Sequence, residues 1–137
     1  MKNAAEIVIP SNPHYLSVVR AVTGQISSVA GMSGKEADKV KLAVDEACSN
    51  VIKHAYRGKT DRKIVVQFRI ADDSFVVIIE DNGIKASPNK IKGRDFDDIR
   101  PGGLGIHLIE RAFDTMSFDK RKKRGNRLRL MRRIRGR

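Results

Sequence analysis

AVDEACSNVIKHAY, residues 43–56, is the stretch on which the fold turns. Val44, Ala47, Val51 and Ala55, with Val40 ahead of them, recur at helical spacing, so the segment predicts the inner face of an amphipathic helix. That helix opens on a capping box, Ser33 and Glu36 each covering a free backbone amide, and ends near Tyr56 and Gly58. Glu46, Asn50 and His54 stand i, i+4, i+8 beside the apolar stripe and form one column. A carboxylate and an amide oxygen on one rigid helix suit Mg²⁺, which takes one or two protein oxygens and leaves its other positions to water and phosphate. Glu46 is also placed to orient or deprotonate a hydroxyl. Taken alone, the column equally describes a polar, solvated helix face.

Upstream, Glu6 to Pro10 reads as a short strand. Asn12 and Pro13 then open a helix in which Leu16, Val19, Thr23, Ile26 and Ala30 face inward as far as Gly31. Downstream, Lys63 to Ile70 and Phe75 to Asp81 form a hairpin through the turn Ala71 to Ser74, and the unbroken FVVII implies a well-covered strand. Residues 82–101 follow neither period, as a lid or binding loop does. Gly102, Gly103 and Gly105 lead into a third helix with Ile106, Ile109, Ala112 and Phe113 inward. Two strands close the chain, Thr115 to Asp119 and Asn126 to Ile134, with Leu128, Leu130 and Ile134 buried and Arg127, Arg129 and Arg133 opposite. The order βααββαββ predicts an α+β fold, helices against one face of a mixed sheet.

Two more motifs carry chemistry. Glu80-Asp81-Asn82-Gly83 ends the buried strand, where an Asp can accept a hydrogen bond from an amine and a Gly lets the backbone approach a flat ligand. Asp-Asn-Gly is also an ordinary turn. Arg100-Pro101-Gly102-Gly103-Leu104-Gly105 opens a helix, and the free amides of such a turn make a phosphate cradle, or simply a flexible loop with a cap.

In this order AVDEACSNVIKHAY, IIEDNG, GGLGIHLIERAFDTMSF and GNRLRLMRR resemble the N, G1, G2 and final boxes of GHKL-type ATPases, the group of histidine kinases and DNA gyrase B. Within that group the chain most resembles the bacterial anti-sigma factor serine/threonine kinases, from about residue 5 to residue 134. The resemblance implies a two-layer α/β sandwich with three helices on one face of the sheet. It implies one ATP-binding kinase-like domain over residues 1–137, with a lid over residues 84–101. Asn50 is then the Mg²⁺ ligand and Glu46 the general base. Asp81 takes the adenine amine and Gly83 makes room for the ring. Gly103 and Gly105 wrap the phosphates of ATP, with Arg100, Gly102 and Leu104 in the same cradle. The implied activity is transfer of phosphate to serine on a small anti-anti-sigma-like protein, with a sigma factor or other acidic partner held in alternation; a homodimer is implied as well.

Two positions depart from the family pattern. The G1 box usually has a second glycine where this chain has Lys85, and the final box usually has Thr where it has Asn126. Lys85 is either a phosphate contact or an exposed loop lysine. Asn126 keeps the capacity to hydrogen-bond a base or a water.

Composition narrows the rest. A chain of 137 residues suits a single domain, and no apolar run reaches the ~18 residues of a membrane helix. The start, MKNAAEIVIP, is too short for a signal peptide, so a cytoplasmic location is expected. The single cysteine, Cys48, falls near the apolar stripe and is expected in the core. His14, His54 and His107 stand apart from any nucleophile arrangement. The net charge of +12 is local, because eleven of the 28 Lys and Arg lie in residues 119–137 against Asp119 alone. Such a patch fits nucleic acid or an acidic protein. The absence of stacking aromatics there argues against nucleic acid, and arginines that alternate with buried leucines make a solvated strand face the default, one that an acidic protein partner would also use. An ATP-binding interaction module without kinase activity is the other functional class the sequence leaves open.

Overall fold

A computed structural model of the chain describes residues 2–86 and 103–134. Strand β1 (Lys2–Pro10) runs into a 3₁₀ turn (Pro13–Tyr15) and helix α1 (Leu16–Val29). Asn12 caps that turn, its side chain accepting from the His14 amide at 3.0 Å. Gly31, at φ 90°, turns the chain out of α1 in a conformation only glycine adopts freely. Helix α2 (Gly34–Asn50) starts on the expected capping box: the Glu36 amide donates to the Ser33 hydroxyl at 3.1 Å and the Ser33 amide to the Glu36 carboxylate at 3.0 Å. Then come β2 (Lys63–Ile70), β3 (Ser74–Asp81), α3 (Gly103–Ala112), β4 (Thr115–Phe118) and β5 (Asn126–Arg133). β1 is longer than its apolar alternation suggests because pairing with β2 carries it past a bulge at Asn3 and Ala5.

The five strands lie in the order β1-β2-β3-β5-β4. The expected α+β sandwich forms, but every pairing is antiparallel where a mixed sheet was expected. β4 runs to the edge after α3, and the β4–β5 hairpin folds β5 back between β4 and β3, so no two neighbours run the same way.

α2 packs between α1 and α3, and the three helices cover one face of the sheet. Val19, Val40 and Val44 meet Ile64, Val66, Phe68, Phe75, Val77, Ile79 and Leu130 in that layer, all fully buried. Each such side chain contributes ~1.5–3 kcal/mol of burial. The rings of Phe68 and Phe75 tilt at 39° with centroids 6.4 Å apart. Val76 and Ile78 point the other way yet are also buried. In the register Ile78 lies between Gln67 and Arg129, and Val76 between Arg69 and Met131, residues with side chains long enough to cover an apolar neighbour. That is why FVVII lacks a polar break.

Candidate functional site

The column of α2 is built as expected over its first two members. Glu46 and Asn50 are half-buried, and neither side chain makes a hydrogen bond or ion pair among the described residues. Neighbouring Asp45 is instead taken by Arg20 at 2.6 Å. Burial raises the Glu46 carboxyl above the usual range, with Asp45 adding to the rise and Lys53 and His54 opposing it. A half-buried carboxylate and amide one turn apart, both without protein partners, are oxygens kept for something else.

The third member of the column does not follow. From Val51 to Ala55 the helix widens into a π-turn, closed by the Tyr56 amide on the Val51 carbonyl at 2.9 Å. The five-residue step takes the exposed His54 out of phase with Asn50, so the i+4 spacing that placed it in the column no longer applies. Val51, Ile52 and Ala55 remain buried, which means the wide turn keeps the apolar stripe in the core.

That π-turn is where the strand end carrying Asp81 attaches. The Ile84 amide donates to the Ala55 carbonyl at 2.8 Å, and the Asn82 amide to the Tyr56 hydroxyl at 2.9 Å, while that hydroxyl donates to the Lys63 carbonyl at 2.5 Å. Gly83 is pressed against the joint. A Cβ there would lie 2.4 Å from the Ala55 oxygen and 2.9 Å from its Cβ. The glycine read as room for a ligand is therefore already required by protein packing.

Asp81 is the most enclosed carboxylate among the described residues, 2% exposed. Burial raises it, opposed first by the Gly83 amide donating to Oδ1 at 2.8 Å and then by Asn126. The Asn126 amide nitrogen donates to the two Asp81 oxygens at 3.0 and 3.2 Å and to the Ile84 carbonyl at 3.0 Å. Its oxygen accepts from the Ala86 amide at 2.7 Å. Lys122, in the β4–β5 turn, reaches Glu80 at 3.1 Å and the Asn82 side chain at 3.2 Å, and its carbonyl accepts from the Lys85 ammonium. Lys85 is thus an exposed lysine whose ammonium lies on the turn.

Of the expected phosphate cradle, Arg100 and Gly102 lie outside the described residues, as does the expected lid from residue 87 onward. Gly103, Leu104 and Gly105 form the first turn of α3, where backbone amides are free of helical partners. Ile106, Ile109, Ala112 and Phe113 are buried as expected, as is Cys48, whose thiol burial pushes up to about 12. No helix among the described residues is long and apolar enough to cross a membrane.

Three working residues escaped the sequence reading. Tyr56 looked like a helix end, and neither Lys122 nor Arg132 stood out within the basic end of the chain. Arg132 in fact turns inward, donating to the Ala112 carbonyl at 2.9 Å and to Glu36 at 2.7 Å, which joins the end of α3 to the cap of α2. Its place in the alternation with Leu128 and Leu130 was the available signal. Arg127, expected on a solvated face, is half-buried and paired with Glu80 at 3.3 Å and Asp119 at 3.7 Å.

Comparison with known proteins agrees with this architecture. A family model for the histidine kinase-like ATPase domain matches residues 9–132. The serine-protein kinase RsbW of Listeria innocua is 34% identical over 127 residues, covering 86% of this chain and 80% of that protein. Those of Bacillus pumilus and Staphylococcus aureus are each 32% identical, covering 81% and 84% of this chain and 75% and 78% of theirs.

Proposed function

The chain belongs to the histidine kinase-like ATPase family, and from that premise we propose that it is a Mg-ATP-dependent protein serine/threonine kinase of the anti-sigma factor type. One observation carries the reading. The helix bearing the unpartnered Glu46 and Asn50 is bonded, through its terminal π-turn and Tyr56, to the loop that follows the buried Asp81. A carboxylate suited to an amine and a pair of oxygens suited to a metal-bound phosphate thus stand on two elements locked together. The serine-protein kinase relatives supply the reaction class.

In this reading Asp81 accepts from the adenine amine and Asn50 offers its amide oxygen to Mg²⁺. The ion supplies charge neutralisation on the phosphates when bound. Glu46 takes the proton of the acceptor serine hydroxyl as that oxygen attacks the terminal phosphorus, and ADP leaves. Its raised affinity for protons makes it a better base than an exposed glutamate, at the expense of being ionised over less of the acid range. The backbone amides at the start of α3, with Gly103, Leu104 and Gly105, meet the phosphates, joined by Arg100 and Gly102. The acceptor is a small anti-anti-sigma-like protein, and a sigma factor or other acidic protein is the second partner. A homodimer is the proposed assembly and the cytoplasm the proposed compartment.

The test separates binding from transfer. With Mg-ATP and a purified acceptor of this kind, Glu46→Gln should slow phosphotransfer by ~10² to 10⁴ while nucleotide affinity holds. Asn50→Ala should instead weaken Mg-dependent nucleotide binding. Equal transfer by wild type and Glu46→Gln removes Glu46 as the base. Nucleotide binding without transfer to any acceptor would mean an ATP-binding module rather than a kinase.

A further inference from the structure

Between β4 and β5 the turn at residues 120–124 carries five consecutive cations, and its shape is fixed. The Asp119 amide donates to the Arg127 carbonyl and the Arg121 amide to the Asp119 carboxylate, both at 2.9 Å. Gly125 seats the turn on β3, because at φ 74° a Cβ there would lie 2.1 Å from the Asp81 carbonyl oxygen. Two of the five cations are taken up inside this frame. The Arg121 guanidinium donates to both Asp119 oxygens at 3.1 Å, and Lys122 holds Glu80 at 3.1 Å and the Asn82 side chain at 3.2 Å. Lys120, Lys123 and Arg124 are exposed, and their side chains make no hydrogen bond or ion pair among the described residues. Asn82 also links this turn to a second one, since its backbone amide is held by Tyr56 at the end of the π-turn. Just beyond Tyr56, Arg57 and Lys59 are exposed with unpaired side chains. Arg57 stands at φ 51°, a left-handed backbone that glycine or asparagine would hold with less strain. Nothing acidic remains to neutralise either turn. Segments 53–63, 80–86 and 119–127 hold twelve Lys and Arg against four Asp and Glu. Of those four, Asp61, Glu80 and Asp119 are already in ion pairs and Asp81 is buried, so the excess charge is displayed outward.

We propose that Arg57, Lys59, Lys120, Lys123 and Arg124 form one docking surface for an extended acidic segment of a protein partner. The inference rests on the reading of an acidic protein as the second partner and gives that partner its place of contact. In an extended segment, carboxylates on one side recur every ~6.8 Å, so several can meet different Lys and Arg tips at once. Three of the five cations are lysines, point charges suited to single carboxylates, whereas phosphate is more often gripped by the fork of arginine. Neither turn offers an aromatic face on which a base could stack, Tyr56 being only 6% exposed, and the Asn82 side-chain oxygen is already held by Lys122. These features favour an acidic protein over nucleic acid. Exposed ion pairs are individually weak, so the surface works by steering: it speeds capture of the segment more than it slows its release. The loop after Asp81 is bonded to both turns, which sets a captured segment at the edge of the candidate nucleotide site.

The experiment measures binding of a fluorescent peptide that alternates Glu and Ser to the full chain, by anisotropy and stopped flow, at ~0.15 M salt without nucleotide. One variant combines Lys120→Gln, Lys123→Gln and Arg124→Gln, and a second combines Arg57→Asn with Lys59→Gln. A control combines Lys39→Gln, Arg129→Gln and Arg133→Gln, which removes three exposed charges elsewhere. Melting curves check that each variant folds, as changes at exposed, unpaired side chains should allow. The first variant should weaken peptide binding by ~10-fold and the second by ~5-fold, mainly through the association rate, and the control by less than ~2-fold. If the control loses as much as the first variant, the attraction belongs to the whole basic protein and this surface is overturned, though an acidic partner still stands. If wild type ignores the peptide, the acidic-partner reading falls with it. Duplex DNA of equal charge, or vesicles of anionic phospholipid, bound more tightly than the peptide and released by the first variant would overturn the proposal in favour of phosphate. Omitting nucleotide keeps the result separate from the kinase reading, which stands or falls on Glu46→Gln.

Discussion

Gly83→Ala adds one methyl group at the joint between the G1 loop and the end of α2, and its cost can be worked from the contacts. The new Cβ would sit 2.4 Å from the Ala55 oxygen, 2.6 Å from its carbonyl carbon and 2.9 Å from its Cβ. Real Cβ contacts lie beyond 3.0 Å, and two of these three neighbours are backbone, so the loop must lift away by at least half an ångström. Lifting strains the Ile84 amide bond to the same Ala55 carbonyl and the Asn82 amide bond to Tyr56. Overpacking of this kind costs ~1–3 kcal/mol, and each weakened hydrogen bond adds ~0.5–1.5 kcal/mol. A total of ~2–6 kcal/mol corresponds to a fall in melting temperature of ~6–20 °C for a domain of this size. Urea unfolding of the nucleotide-free protein measures it directly. If glycine served only to admit a ligand, the apo protein would be unaffected and nucleotide binding alone would suffer. A free-energy change within ~0.5 kcal/mol of wild type would refute the packing argument.

Other expectations follow from the same contacts. Glu36 is lowered to about 2 by its hydrogen bonds to the Ser33 backbone and to Arg132. A lowered carboxyl stabilises the fold above its ordinary range of about 4.5 and loses that contribution as pH falls toward 2. Glu36→Gln should therefore flatten the acid side of the stability profile by ~1 kcal/mol, the partly exposed side chain screening the remainder. Asp81→Ala should weaken ATP binding by ~10- to 100-fold in calorimetry, and unchanged affinity would remove it from the site. Cys48, fully buried with its thiol raised to about 12, should react with a thiol reagent only as fast as the protein unfolds. Charge reversal at Arg129 and Arg133, which make no side-chain pairs among the described residues, should leave ATP affinity and melting temperature nearly unchanged. The same change at Arg127 should destabilise the fold, because it sets a carboxylate against Glu80 and Asp119.

What the sequence determined by itself is the set of elements and the faces they bury. Period is a local property, and each stripe here is long enough to declare itself: Val40 to Ala55 in α2, Ile64 to Ile70 in β2, Leu128 and Leu130 in β5. The Ser33–Glu36 cap, Asp81 as a buried carboxylate at a strand end and Cys48 in the core were legible for the same reason. Tertiary structure alone decided the strand order, because nothing local in β5 says that it will sit between β3 and β4. It alone revealed the π-turn after Asn50, on whose Ala55 carbonyl the loop after β3 docks. Gly83 looked permissive in sequence, whereas packing makes it obligatory, as it does Gly125, each being the point where one backbone lies against another. Asn126 and Lys85 read as two separate departures from a motif. Only the fold brings residues forty positions apart within hydrogen-bonding distance, where a buried carboxylate needs donors and a strand end needs an anchor.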